Sequence, residues 1–124
     1  VSLNVFSIGG LLEVEIIKAY AQNKDRINEV RKHADANKRY FGFLPYSAYE
    51  ELALKGQIWV AVSKDNQSLA GYLIFGGTYP YLKVFQLFVH SGFRKHGIGN
   101  LLVRELIKFG EAHSYLAVHG ELVI

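Results

Sequence analysis

Residues 85–109, FQLFVHSGFRKHGIGNLLVRELIKF, constrain the fold more than any other stretch of the chain. Phe85-Gln86-Leu87-Phe88-Val89 is rich in aromatic and β-branched residues, which predicts a strand. Ser91-Gly92 breaks it, and a helical pattern starts near Gly97 or Ile98. Ile98, Leu101, Leu102, Leu106 and Phe109 fall on one side of that helix, and Arg104, Lys108 and Glu111 on the other. Between strand and helix sits Arg94-Lys95-His96-Gly97-Ile98-Gly99. Glycines at a helix start lack the Cβ atoms that would hold an anion off the backbone. The unpaired N–H groups of the first turn then face that anion, and the helix dipole favours its charge. Arg94 and Lys95 add formal positive charge at the same place. The expected ligand of this loop is a phosphate group.

The pattern of the loop narrows the kind of phosphate. No G-x-x-x-x-G-K-[ST] run exists for a mononucleotide, and the dinucleotide fingerprint needs a third glycine where this chain has Leu102. What remains is R-x-x-G-x-G on Arg94, Gly97 and Gly99, preceded by L-x-V on Leu87 and Val89. In this context LFVHSGFRKHGIGNLL resembles the acetyl-CoA motif of the GNAT acetyltransferase superfamily, and the resemblance extends from about Leu12 to Ile124. It implies that acetyl-CoA is a co-substrate whose pyrophosphate meets the loop amides of Arg94, Lys95, His96, Gly97, Ile98, Gly99 and Asn100. It further implies that the pantetheine arm enters between two splayed strands and pairs with the backbone of Leu87, Phe88 and Val89. A backbone N–H near Phe88 or Val89 would then hold the oxyanion.

The implied activity is transfer of an acetyl group directly to an amine, carried by a small molecule or a protein. With no cysteine in the chain, no thiol is present to take the acetyl group covalently. A general base is harder to find. Residues 83–89 contain no carboxylate, so Gln86, which can orient a water, and His90, with its near-neutral intrinsic pKa, are the candidates. His90 also suits a polar cap at the strand end. The tyrosine that relatives use as general acid would lie beyond Ile124. Phe43, Leu44, Tyr46 and Tyr49 fall where the family binds its acceptor, although packing between two helices is the reading that such aromatics favour. The rival reading is a CoA-binding regulatory or interaction module without catalysis.

A chain of 124 residues, half apolar and a fifth charged, is expected to form one globular domain. No apolar run approaches the ~20 residues of a membrane span. Residues 1–10 lack the basic flank of a signal peptide and are expected to be a leader or an extra edge strand, ahead of the acetyl-CoA-binding domain at 11–124. The expected location is cytoplasmic. A net charge of +3 suits an anionic co-substrate but is too small to argue for nucleic acid, even with Arg94, Lys95, Arg104 and Lys108 close in sequence. The five histidines show no metal-ligand spacing, and no metal is expected.

Residues 12–17 alternate as a strand with Leu12, Val14 and Ile16 inward. A helix starting at Asn23 or Asp25 and running to about Lys38 buries Ile27, Val30 and Ala34. Ser47 and Glu50 have capping-box spacing for a second helix, which stops at Lys55-Gly56. Strands at 58–62, 69–75 and 81–89 come next, and a last strand covers 115–124. This order predicts an α/β, layered α+β domain whose mixed, mostly antiparallel sheet carries helices on both faces. The helix and hairpin that the family places after its fifth strand are missing. An uncovered last strand would expose Leu116, Val118, Leu122 or Val123, so a two-fold homodimer is expected.

Overall fold

The computed structural model describes residues 2–8, 12–19, 23–37 and 44–120. Six strands form one sheet in sequential order: β1 (Ser2–Ile8), β2 (Leu12–Lys18), β3 (Ile58–Ser63), β4 (Leu69–Gly76), β5 (Tyr81–Val89) and β6 (Ala117–Gly120). Neighbours are antiparallel up to β5, whereas β5 and β6 are parallel. That last pairing requires a crossover, which α3 (Ile98–Ala112) supplies. Helices α1 (Lys24–Ala36) and α2 (Tyr46–Leu54) precede β3. The α+β class expected from the element order is the observed one, and residues 2–8 are the extra strand at one edge.

Strand periodicity divides the core into two. Val14, Ile16, Trp59, Ala61, Leu73, Phe75 and Leu82 pack with Ile98, Leu102 and Leu106 of α3. The alternate residues Val60, Val62, Tyr72 and Ile74 pack with Ile27, Val30 and Ala34 of α1 and with Tyr49 and Ala53 of α2. β3 and β4 are covered on both sides, which is why they read as continuous apolar runs.

The end of α2 obeys the glycine signal. Gly56 has φ +69, its N–H donates to Ala53 O at 3.0 Å, and Gln57 N–H donates to Leu52 O at 2.9 Å. This paired closure satisfies two orphan carbonyls of the last turn. The start of α2 differs from expectation. Pro45 is the N-cap, so Ser47 already lies inside the helix, and no capping box forms with Glu50. The fixed φ of proline, −65°, and its extended ψ of 157° set the entry instead.

Several expectations fall outside the described residues: the Gly9-Gly10 break, the end of the first predicted helix at Lys38, Phe43 in the aromatic loop, and Leu122 and Val123 of the last strand. Ala117–Gly120 form the outer strand, with Leu116 exposed before it and Val118 half-buried.

Candidate active site

The site starts from a defect in β5. Val84 stands opposite Phe75 and Gln86 opposite Ile74, so Phe85 is one residue too many. Such a bulge bends its strand and re-aims the residues beyond it. Among the described residues, the parallel pairing with β6 runs from Tyr81↔Ala117 to Val84↔Gly120, immediately before the bulge. Past that point, the partner of β5 among the described residues is β4. His90 N–H donates to Ala70 O at 2.8 Å across to β4. Antiparallel alternation then turns the polar backbone of Gln86 and Phe88 toward β4, and that of Leu87 and Val89 away from it. Val89 O is held by Arg94 Nε at 3.1 Å. The N–H groups of Leu87 and Val89 and the carbonyl of Leu87 therefore form a row facing away from β4. Of the two expected oxyanion donors, Val89 faces away from β4 and Phe88 faces it.

That row borders a cleft of about 610 Å³ between β5, β6 and α3. Its walls are Val84, Leu87, Val103, Ile107 and Val118, with Asn100, Arg104 and His119 as polar lining. Gly120 sits where a Cβ would come within 2.9 Å of Val84 Cβ, so its lack of a side chain lets β6 close against β5 at the base of the cleft.

The loop between β5 and α3 follows the end of β5 at Val89. Ser91–Phe93 form a 3₁₀ turn, and His90 Nδ1 accepts from Gly92 N–H at 3.4 Å. The His90 ring is thus a cap for that turn. Lys95 and Gly97 both adopt left-handed conformations, with φ +69 and +80. Gly97 is the N-cap of α3, and its carbonyl accepts from Leu101 N–H at 2.9 Å. The N–H groups of Ile98, Gly99 and Asn100 precede any intrahelical acceptor. A Cβ on Gly97 would meet nothing within 4 Å, so the space before these donors is open. Gly99 differs: a Cβ there would rest 3.5 Å from Val89 Cγ2, and this glycine seats α3 closely on β5. Lys95 and His96 are exposed beside the loop, as is Arg94, whose Nε is engaged by the strand end.

Gln86 points to the opposite face of the sheet and is only 3 % exposed. Tyr72 hydroxyl donates to its Oε1 at 3.4 Å, and His33 Nδ1 lies 3.0 Å from the same hydroxyl. Asn37 Nδ2 donates to His33 O at 2.9 Å and lies 3.3 Å from His33 Nε2. The His33 ring packs on Phe88 with centroids 3.6 Å apart. Burial, and then the nearby His90, push the His33 pKa below the usual histidine value. Burial, then Tyr49, push Tyr72 well above the usual phenol range. Tyr49 is raised by burial and then by Asp35, while Gln86 and Arg31 oppose the rise. Gln86 acts there without a well-formed bond, since its Nε2 has no partner of good geometry.

The structure places Leu87, Gly99 and Asn100 in the lining of the cleft, Arg94, Lys95, His96, Gly97 and Ile98 in the loop and helix start next to it, and Gln86 behind the strand. Among the acceptor-side candidates, Tyr49 is buried and Leu44 half-buried in the α1–α2 core, while Tyr46 is exposed with the Arg31 guanidinium 5.2 Å above its ring. Val103, Ile107 and Val118, which wall the cleft, and His33 with Tyr72 behind it, were not among the expected site residues. The step of four between Val103 and Ile107, displaced from the buried row of α3, is the one local sign of a second apolar face. Among the described residues, no three His, Cys, Asp or Glu gather as a metal site, and no helix is long and apolar enough to cross a membrane.

The site thus combines a bulged strand, an apolar cleft and a glycine-led helix start. The acetyltransferase (GNAT) family matches residues 20–121, and the chain belongs to that family. Solved structures share the fold. A GNAT family acetyltransferase from Listeria monocytogenes superposes with a TM-score of 0.67 at 16 % identity, covering 90 % of this chain and 77 % of its own. The ribosomal-protein-alanine N-acetyltransferase of Brucella melitensis gives 0.64 at 17 % identity, covering 89 % and 80 %. N-acetylglutamate synthase from Neisseria gonorrhoeae, solved with coenzyme A and N-acetyl-glutamate, gives 0.64 at 13 % identity, covering 80 % of this chain and 23 % of its own. No curated protein sequence matches the chain significantly.

Proposed function

We propose that this protein transfers the acetyl group of acetyl-CoA directly to an amine acceptor. The observation that carries the reading is the cleft between β5, β6 and α3 beside the Phe85 bulge, next to the glycine-led start of α3. The residues present fit acetyl-CoA as co-substrate. Ile98, Gly99 and Asn100 N–H groups face a space open enough for a pyrophosphate, and Lys95 adds charge there. Leu87, Val103, Ile107 and Val118 offer an apolar wall to the pantetheine arm, and the Leu87 backbone offers one donor and one acceptor to its amides. Val89 N–H is the donor for negative charge developing on the thioester oxygen. A coenzyme A ligand in the Neisseria relative and an N-acetyltransferase name in the Brucella one support the same reading.

Release of free CoA thiol from acetyl-CoA, monitored across a panel of small-molecule amines and peptide N-termini, tests this. At least one amine is expected to raise thiol release well above the rate with acetyl-CoA alone, with the acetylated amine as product. Tight binding of acetyl-CoA with no amine acetylated would instead identify a non-catalytic CoA-binding module.

A further inference from the structure

We propose that Arg94 is a positioning residue whose side chain holds the end of β5 so that Val89 N–H is aimed at the thioester oxygen. The assignment rests on the amine-acetylation reading above. Arg94 lies five residues past Val89, yet its Nε donates to Val89 O at 3.1 Å. The turn between them makes that reach possible. His90 Nδ1 accepts from Gly92 N–H at 3.4 Å, and Phe93 N–H donates to His90 O at 2.8 Å, so the chain doubles back over Ser91–Phe93. Arg94 leaves the turn in an extended conformation, with φ −67 and ψ 157. Val89 itself is next to the cleft: Gly99 lines the cleft, and a Cβ on Gly99 would rest 3.5 Å from Val89 Cγ2.

Two successive peptide units set the direction of Val89 N–H. Val89 C=O and His90 N–H belong to one rigid plane. Its N–H end donates to Ala70 O at 2.8 Å on the β4 side, and its C=O end accepts from Arg94 on the other. Bonds at both ends stop that plane from turning. Phe88 C=O and Val89 N–H form the preceding plane. Gly71 stands opposite Val89, and a Cβ there would come within 2.5 Å of Phe88 O. Because residue 71 has no side chain, this carbonyl lies against β4, and the N–H of the same plane points away from it. With Phe88 O seated on Gly71 and Val89 O tied to Arg94, both backbone torsions of Val89 are set before any ligand arrives. A donor fixed in this way needs no reorganisation when negative charge develops on the oxygen.

The other role open to Arg94, a cation for the pyrophosphate, predicts the opposite ranking of two substitutions. In Arg94→Gln the amide Nε2 is bonded to Cδ, as Arg94 Nε is, so an N–H donor stays at the same place along the side chain while the charge is lost. In Arg94→Lys the charge stays, but a methylene replaces Nε and the donor moves one atom further out. A positioning role therefore favours glutamine, and an ionic role favours lysine.

The test is kcat/KM for an acetylated amine at saturating acetyl-CoA, beside acetyl-CoA affinity by calorimetry and Tm, in wild type, Arg94→Ala, Arg94→Lys and Arg94→Gln. Arg94→Ala and Arg94→Lys are expected to lower kcat/KM by ~10-fold or more, and Arg94→Gln to keep it within ~3-fold of wild type. Acetyl-CoA affinity should stay within a few-fold in all three, and Tm close to the wild-type value, because the side chain is exposed. Full activity in Arg94→Lys with a loss in Arg94→Gln, or unchanged activity in all three, overturns the assignment while leaving amine acetylation standing. So does a fall in acetyl-CoA affinity as large as the fall in kcat/KM. A wild type that binds acetyl-CoA and acetylates no amine removes the assignment together with the reading beneath it.

Discussion

Gly97→Val is expected to lower affinity for acetyl-CoA by ~100-fold or more, about 2.7 kcal/mol, with far-UV circular dichroism almost unchanged. The reasons lie in the loop. Gly97 has φ +80, a region that β-branched residues avoid, so valine there forces the turn to reorganise. The added side chain would not collide with the protein, because a Cβ at this position meets nothing within 4 Å. It would instead occupy the open space before the first amides of α3, and the anion would lose its approach. Gly99→Ala is the control. Its Cβ makes an ordinary 3.5 Å contact with Val89, so a loss of only a few-fold is expected. Lys95→Ala should also be mild, because an exposed charge contact contributes on the order of 0–1 kcal/mol. Isothermal calorimetry separates the cases. Greater damage from Lys95→Ala than from Gly97→Val would mean that charge, not backbone, holds the ligand.

The second large effect separates the two apolar rows of α3. Leu102 is fully buried between the helix and the sheet, and Leu102→Ala is expected to lower stability by ~2–5 kcal/mol, a large share of the ~5–15 kcal/mol typical of a domain. Ile107 on the same helix is 42 % exposed and lines the cleft. Ile107→Ala should cost well under half as much stability yet weaken acetyl-CoA binding measurably. Urea unfolding of both variants, with binding measured on the folded fractions, checks this. Equal loss of stability in both would mean that the cleft face of α3 is part of the core.

The contrast between those rows also marks what was legible in the sequence. The order of strands and helices, the start of α3 at residues 97–98, the Gly56 stop and the buried stripe of α1 are local patterns, and each is found where the residues predict it. The glycine turn into α3 was legible for the same reason, since its glycines and cations lie within six residues. Ser47 misled because its spacing to Glu50 mimics a cap, while Pro45 two residues earlier already set the helix entry. The Phe85 bulge leaves no local sign, since an extra residue exists only relative to the partner strand. His33 and Tyr72 are 39 residues apart along the chain, and Tyr72 and Gln86 are 14 apart; pairing of β4 with β5 under α1 is what makes them a network. The cleft wall from Val118 depends likewise on the parallel return of β6.

Reception of acetyl-CoA by the loop and cleft is the central claim, and thermal unfolding with and without that ligand measures it. At a free concentration one hundred times Kd, binding to the folded state alone stabilises it by about 2.7 kcal/mol, which for a domain of this size is a rise in Tm of several degrees. The rise should grow with concentration, appear with free CoA as well, and vanish in Gly97→Val. A folded wild-type protein whose Tm stays the same in millimolar CoA or acetyl-CoA would contradict the claim.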